Sequence, residues 1–243
     1  TMECPRVKKR DIDARRAVSA LLGEELGRLL PPGAGDVLVI GLGNRTVTPD
    51  ALGPLAVDHT LVTRHLHRER PDLSGALSGV CALSPGVMGV TGIESGEIVR
   101  AVVEAVSPRA VIAIDSLAAR ALERLSSTVQ LTDAGIQPGS GVGNRRAALT
   151  RETLGVPVLA VGVPMVIHAA ALARDAFRLL SGEDESRLDA LMRELMDGDL
   201  GDMIVTPREV DDLVDNAAVM LAGGVNRALH PGLSEEEILT MMQ

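Results

Sequence analysis

The chain has 243 residues, is 46% hydrophobic and carries a net charge of −9. That length buries one full core, and the acidic balance argues against direct nucleic-acid binding, which needs a basic footprint. With no Trp, no Tyr and a single Phe (Phe177), stacking of bases on aromatic rings is nearly excluded as well.

Residues 11 to 30 read as a helix, because Val18, Leu21, Leu22, Leu26, Leu29 and Leu30 recur at helical spacing. Pro31-Pro32-Gly33 ends it. Val37 to Gly41 is a continuous apolar run of the kind found in buried parallel strands. A polar loop carries the chain to Asp50, and a helix is expected over 51–67. The pattern then repeats. Gly79–Leu83 reads as a strand, 84–92 as a glycine-containing loop and 93–106 as a helix. Ala110–Ile114 is a clean buried strand ended by Asp115, with a helix expected over 116–125. Thr128–Thr132 alternates in polarity like an edge strand. Residues 134–144 form a glycine-rich loop, 156–161 a buried strand and 165–180 a helix. Further helices are expected over 185–196 and 207–229, the latter with Thr206-Pro207 as cap and first-turn proline. Ser234 to Glu237 opens a last helix with a capping box.

Strand–loop–helix alternation of this kind predicts a three-layer, doubly wound α/β fold: a mostly parallel sheet with helices on both faces. A single unit is expected, with a helical lead over 1–35, an α/β core over 36–180 and C-terminal helices over 181–243. No apolar run reaches the roughly 18 residues of a membrane span, and the N-terminus lacks the apolar core of a secretory signal. Cys4 and Cys81 lack metal-ligand spacing and are expected as reduced thiols of a cytoplasmic protein.

In an open parallel sheet, sites form outside the carboxyl ends of the strands. That rule selects Asp50, Asp115 and His168, which are far apart in sequence yet leave strands that can be neighbours. Two carboxylates that approach each other can share a proton, one acting as base toward a water and the other as acid toward a leaving amine. Two carboxylates and a histidine can instead hold a divalent metal and activate its water. The residue types leave both open. Each residue also has a plainer role: Asp50 and Asp115 as helix caps, and His168 as a helix-face group. His59, His65, His67 and His230 read as helix-surface groups. Thr132-Asp133-Ala134-Gly135 reads as a turn, with Asp133 near enough to line a cleft. Gly41-Leu42-Gly43-Asn44 and Gly139-Ser140-Gly141-Val142-Gly143-Asn144 lack the complete phosphate-binding fingerprints. They read as tight loops beside a peptide, so Asn44, Gly139, Gly141, Gly143 and Asn144 join the cleft candidates. A Gly-x-Ser-x-Gly elbow and a His-Glu-x-x-His helix are both lacking.

Long motifs at these loops resemble the germination protease family. They include Thr48-Pro49-Asp50-Ala51-Leu52-Gly53-Pro54, Ser84-Pro85-Gly86-Val87-Met88-Gly89 and Ile114-Asp115-Ser116-Leu117-Ala118-Ala119-Arg120. Glu152-Thr153-Leu154-Gly155-Val156-Pro157 and Asn226-Arg227-Ala228-Leu229-His230 extend the likeness. The resemblance implies an atypical aspartic-type endopeptidase with Asp50 and Asp115 as the catalytic pair. Its substrates would be the small, acid-soluble DNA-coating proteins of spores, and its location the cytoplasm of the forespore or spore core. No cofactor is implied, and homo-oligomer assembly is left open. The family is also made as a zymogen with an N-terminal propeptide, whereas only about 35 residues precede the first strand here. The family fold is similar to that of hydrogenase maturation endopeptidases, which hold a metal. A metal set of Asp50, Asp115 and His168 is the corresponding hypothesis, since His168 stands where the family has an aspartate. Arg45 replaces an aromatic residue and is expected at the cleft rim. A non-catalytic sporulation protein that retains the fold is the competing expectation.

Overall fold

The computed structural model describes residues 1–69, 77–139, 147–181 and 203–242. The helix expected over 185–196 lies outside them. Seven strands form one sheet: β1 (Met2–Glu3), β2 (Val37–Gly41), β3 (Val80–Leu83), β4 (Ala110–Ala119), β5 (Thr128–Thr132), β6 (Val158–His168) and β7 (Ile204–Val205). The order is β1-β5-β6-β4-β2-β3, with β7 added to β6. Strands β2, β3, β4 and β6 are parallel. The short strands β1, β5 and β7 run antiparallel to their neighbours. This is the doubly wound sheet that the alternation predicts.

The apolar residues of the central strands divide between two faces. Val39, Ile112, Ile114, Val161 and Val163 point to one, where α1 (Ile12–Leu29), α2 (Leu52–Asp58) and α8 (Val210–Leu229) cover them. Leu38, Ile40, Val111, Ala113 and Val158 point to the other, under α5 (Ser95–Val106) and α6 (Arg151–Leu154). Such two-faced burial explains why these strands are continuously apolar rather than alternating.

Helix α1 starts where Asp11 accepts a hydrogen bond from the Ala14 amide at 2.9 Å, an N-cap that satisfies one orphan donor. It buries Ala14, Val18, Leu22 and Leu26. It meets α8 across small residues. A Cβ on Gly224 would stand 2.8 Å from the Leu22 side chain, and one on Gly23 would stand 2.9 Å from Arg227 Cβ. Larger residues there would push the two helices apart. The remaining helices among the described residues are α3 (Arg64–Glu69), α4 (Met88–Thr91), α7 (Ala169–Ser181) and α9 (Glu235–Met241). The last carries the expected capping box between Ser234 and Glu237.

Five expectations are corrected. The helix over 51–67 is two helices, α2 and α3, separated by the turn at 59–63. No helix covers 116–125, because β4 continues to Ala119 and is followed by a short 3-10 turn at Leu122–Arg124. Likewise β6 runs on to His168, so α7 begins at Ala169 rather than 165. Helix α8 begins at Val210 with no side-chain cap, so Thr206-Pro207 precedes it as a loop. His230 is also not a surface group: it is 0% exposed at the end of α8, with Nε2 3.3 Å from the Leu61 carbonyl.

Candidate active site

Strand β2 ends at Gly41, which pairs with Ile114 of β4. The next amide, Leu42, still donates to the Ile114 carbonyl at 2.8 Å. The chain then turns away through Gly43, whose φ of +114° suits glycine. It returns in a single 3-10 turn, Thr48–Asp50, with Pro49 in its second position. A Cβ on Gly43 would stand 2.0 Å from the Asp50 carbonyl oxygen. Gly53 is pressed equally hard, since its Cβ would lie 2.5 Å from the Ile114 carbonyl oxygen. The two glycines therefore let the loop carrying Asp50 sit directly on the end of β2 and β4.

Asp50 does not cap α2, because the residue before that helix is Ala51 and no side-chain cap is present. Its Oδ2 instead accepts from the Asn44 amide at 2.8 Å. Asp115 does not cap a helix either. It lies inside β4, paired with Gly162 of β6, and is 6% exposed. Its Oδ1 accepts from the Ser116 amide at 2.9 Å. A Cβ on Gly162 would stand 2.8 Å from the Asp115 carbonyl oxygen, so glycine there makes room for the Asp115 backbone.

Both aspartates line one cleft of about 1050 Å³. Its walls also include Leu42, Gly43, Val87, Ser95 and the continuous stretch Ser116–Arg120. Gln130, Pro164 and Ile204 extend it along β5, β6 and β7, and Gln137 joins it from the loop after β5. Arg120 and Arg124 are the cationic residues of this lining. Arg124 Nε is buried without a hydrogen-bond partner among the described residues. A cleft with half-buried acid at one part of its wall and cations at another can bind a polar chain and activate a water beside it.

The other sequence candidates are placed as follows. Gly139 lines the cleft, whereas Gly141, Gly143 and Asn144 lie outside the described residues. Asn44 does not line it; its amide holds Asp50 and its side chain accepts from Thr46. Asp133 is exposed beyond β5 and is not part of the lining. Arg45 is bound through both terminal nitrogens to Asp58, at 2.7 Å each, and is likewise not on the cleft wall. Val87, the residue before α4, is also in the lining.

His168 pairs with Ile204 at the far end of β6, one residue beyond the Ile167 that pairs with Ala119. Asp115 lies several residues back along the same ladder. At a strand rise of about 3.3 Å per residue, this separates the two by roughly 15–20 Å. Ligands of one metal ion stand about 2 Å from it, so Asp50, Asp115 and His168 do not fit a common metal. Among the described residues no group of three His, Cys, Asp or Glu side chains is arranged to hold an ion.

The cleft residues that the sequence did not disclose include Ser116–Arg120, Gln130 and Gln137. The available signal was the β-branched run Val161, Val163, Val166, Ile167, which favours strand over helix. Pro164 obscured it. Here the proline sits beside a register shift at Leu117/Ala118 and beyond the last β5 pair at Gly162, where its missing N–H costs no ladder bond.

No helix among the described residues is long and apolar enough to cross a membrane. The family profile described as germination protease matches residues 1–183. The germination protease of Caldanaerobacter subterraneus subsp. tengcongensis is 42% identical over 98% of this chain and 80% of its own length. That of Clostridium acetobutylicum is 40% identical over 98% and 80%, and that of Bacillus subtilis 37% over 97% and 78%. Among solved structures, the [NiFe] hydrogenase maturation protease HycI from Thermococcus kodakarensis KOD1 matches with a TM-score of 0.45 and 16% identity. The match covers 84% of this chain and 98% of that one. With a profile that spans most of its length and relatives aligned over 97–98% of it, the chain belongs to the germination protease family, hydrolases of peptide bonds in spore germination.

Proposed function

We propose that this chain is an endopeptidase that starts the degradation of small, acid-soluble spore proteins, with Asp50 and Asp115 as its catalytic pair. The observation that carries the reading is that both carboxylates, distant in sequence, line a single cleft. In this reading a water lies between the carboxylates and the substrate carbonyl. One carboxylate takes the water's proton as its oxygen attacks the carbonyl carbon. The other, in its acid form, gives a proton to the amide nitrogen as the C–N bond breaks. In this reading the developing oxyanion is received by backbone N–H groups of the loops at Val87 or Gly139, both of which line the cleft. The reading assigns no metal to the reaction, works in the spore core, and leaves assembly of several copies compatible with the chemistry.

The test is incubation of the purified chain with a small, acid-soluble spore protein. Discrete fragments from the native chain, with activity kept after dialysis against a strong chelator, are the expected result. Binding without cleavage would instead favour a non-catalytic protein that keeps the fold. Activity that disappears with the chelator and returns with zinc would overturn the carboxylate reading.

A further inference from the structure

Strand β4 outruns its neighbour. Its pairing with β2 stops at Gly41↔Ile114, whereas its pairing with β6 continues to Ala119↔Ile167. Beyond Ile114, no strand among the described residues pairs with β4 on the β2 side. The carbonyl of Ile114 points to that side, since it accepts from Leu42. By the alternation of a strand, the peptide group of Ser116 points the same way, and so does that of Ala118, because the extra residue at the Leu117/Ala118 register shift, Met165, lies in β6 and not in β4. The Ser116 amide is already met there, by the Asp115 carboxylate. The Ser116 carbonyl and both peptide groups of Ala118 follow it along the edge.

A second observation points to a ligand. Consecutive residues Ser116, Leu117, Ala118, Ala119 and Arg120 all line the cleft. A strand that showed only one face to a cleft would contribute alternate residues, because successive side chains point to opposite faces. Four in a row within β4, Ser116 to Ala119, with Arg120 just past its end, mean that the cleft runs along the strand's edge. An extended peptide is the ligand such an edge accepts, because its main chain supplies the missing row of donors and acceptors. At about 3.3 Å per residue the edge spans roughly 15 Å, enough for four or five residues of a bound chain.

We propose that the substrate is bound as an added strand on β4, hydrogen-bonded to Ser116 and Ala118, and extending the line that β2 leaves at Gly41. This rests on the peptidase reading above and adds the binding mode. The scissile bond then lies where the added strand reaches Asp115 and Asp50. Recognition along the edge is by main chain, so the substrate segment must be extended and unfolded there. Its alternate side chains would face Leu42 and Val87 on one wall.

The test leaves the protein unchanged, so no variant can fail by misfolding. A synthetic peptide spanning the first bond cut in a small, acid-soluble spore protein is made with one backbone N-methyl group at each nitrogen in turn, the scissile one excepted. An N-methyl group removes a donor and blocks close strand pairing. The expected result is a fall in kcat/KM of at least about tenfold at alternate nitrogens on one side of the scissile bond, and under about threefold between them. Uniform tolerance, or loss without alternation, would overturn the added strand and leave the peptidase reading standing. Failure to cut the unmodified peptide and its parent protein would overturn both.

Discussion

The amide of Asn44 donates to the Asp50 carboxylate at 2.8 Å, and this bond ties the loop after β2 to the acid it delivers. Asp115 has its own counterpart in the Ser116 amide. Each carboxylate is thus oriented by a main-chain donor from its own neighbourhood. The side-chain carbonyl of an asparagine would accept the same bond. Asp50→Asn and Asp115→Asn should therefore fold normally, with unchanged denaturation midpoints. Neither can exchange a proton as an acid does. Each should lower kcat/KM on a small, acid-soluble spore protein by about a hundredfold to ten-thousandfold. Near-native rates in either variant would remove the catalytic pair.

Gly43 gives a sharper steric prediction. At φ +114° a side chain is strained, and its Cβ would press on the Asp50 carbonyl oxygen at 2.0 Å. Gly43→Ala should cost roughly 2–6 kcal/mol, summing backbone strain and overpacking. Because the loop must move to relieve the contact, Asp50 moves with it. Residual activity per folded molecule should fall at least about tenfold, since positioning errors near 1 Å carry large rate costs. A denaturation midpoint equal to that of the parent chain would contradict the close packing at this turn.

The central layer was legible because buried parallel strands write continuous apolar runs, as at Val37–Ile40 and Ala110–Ile114. The candidate pair was legible because the carboxyl ends of those runs are followed by Asp50 and Asp115. The cleft wall was not. Ser116–Ala119 has the composition of a helix start, and only its ladder with Val163–Ile167 holds it as strand. That ladder is a long-range pairing, with no local signature beyond the β-branched residues of β6. His230 was misread for a similar reason. Its burial depends on the turn at 59–61 packing against α8, which local sequence does not encode.

Cys81 lies in β3, where burial is the main cause that pushes its thiol above the ordinary range. Its Sγ donates weakly to the Val37 carbonyl. The native state therefore holds this proton more tightly than the unfolded chain does. The associated stability is fully present below the unfolded value, near about 8.5. It is lost as pH rises from there through the folded value. Cys81→Ala should flatten the decline of the urea midpoint between neutral and strongly alkaline pH. Alkylation of Cys81 at mildly alkaline pH should be at least about tenfold slower in the native protein than in denaturant, because the thiolate is the reactive form. Equal rates would show that the site is wet.

Asn226 should separate stability from chemistry. It is 4% exposed in α8. Its side chain accepts from the Leu61 amide and donates to the His59 carbonyl, both at 2.9 Å. It thereby closes the turn between α2 and α3 against the helix behind the sheet. Alanine there leaves a buried donor unmet and removes a second bond, a loss of about 2–3 kcal/mol. Neither Asn226 nor the turn it holds lines the cleft. Asn226→Ala should lower the denaturation midpoint while kcat/KM, corrected for the folded fraction, stays within about twofold, as expected for distant independent sites. The Gly43→Ala variant would lose both together. If Asn226→Ala instead slowed cleavage at a temperature where it is fully folded, the placement of Asp50 would have to depend on the packing of α2 against α8, a contact on the opposite face of the sheet from the Asp115 side chain.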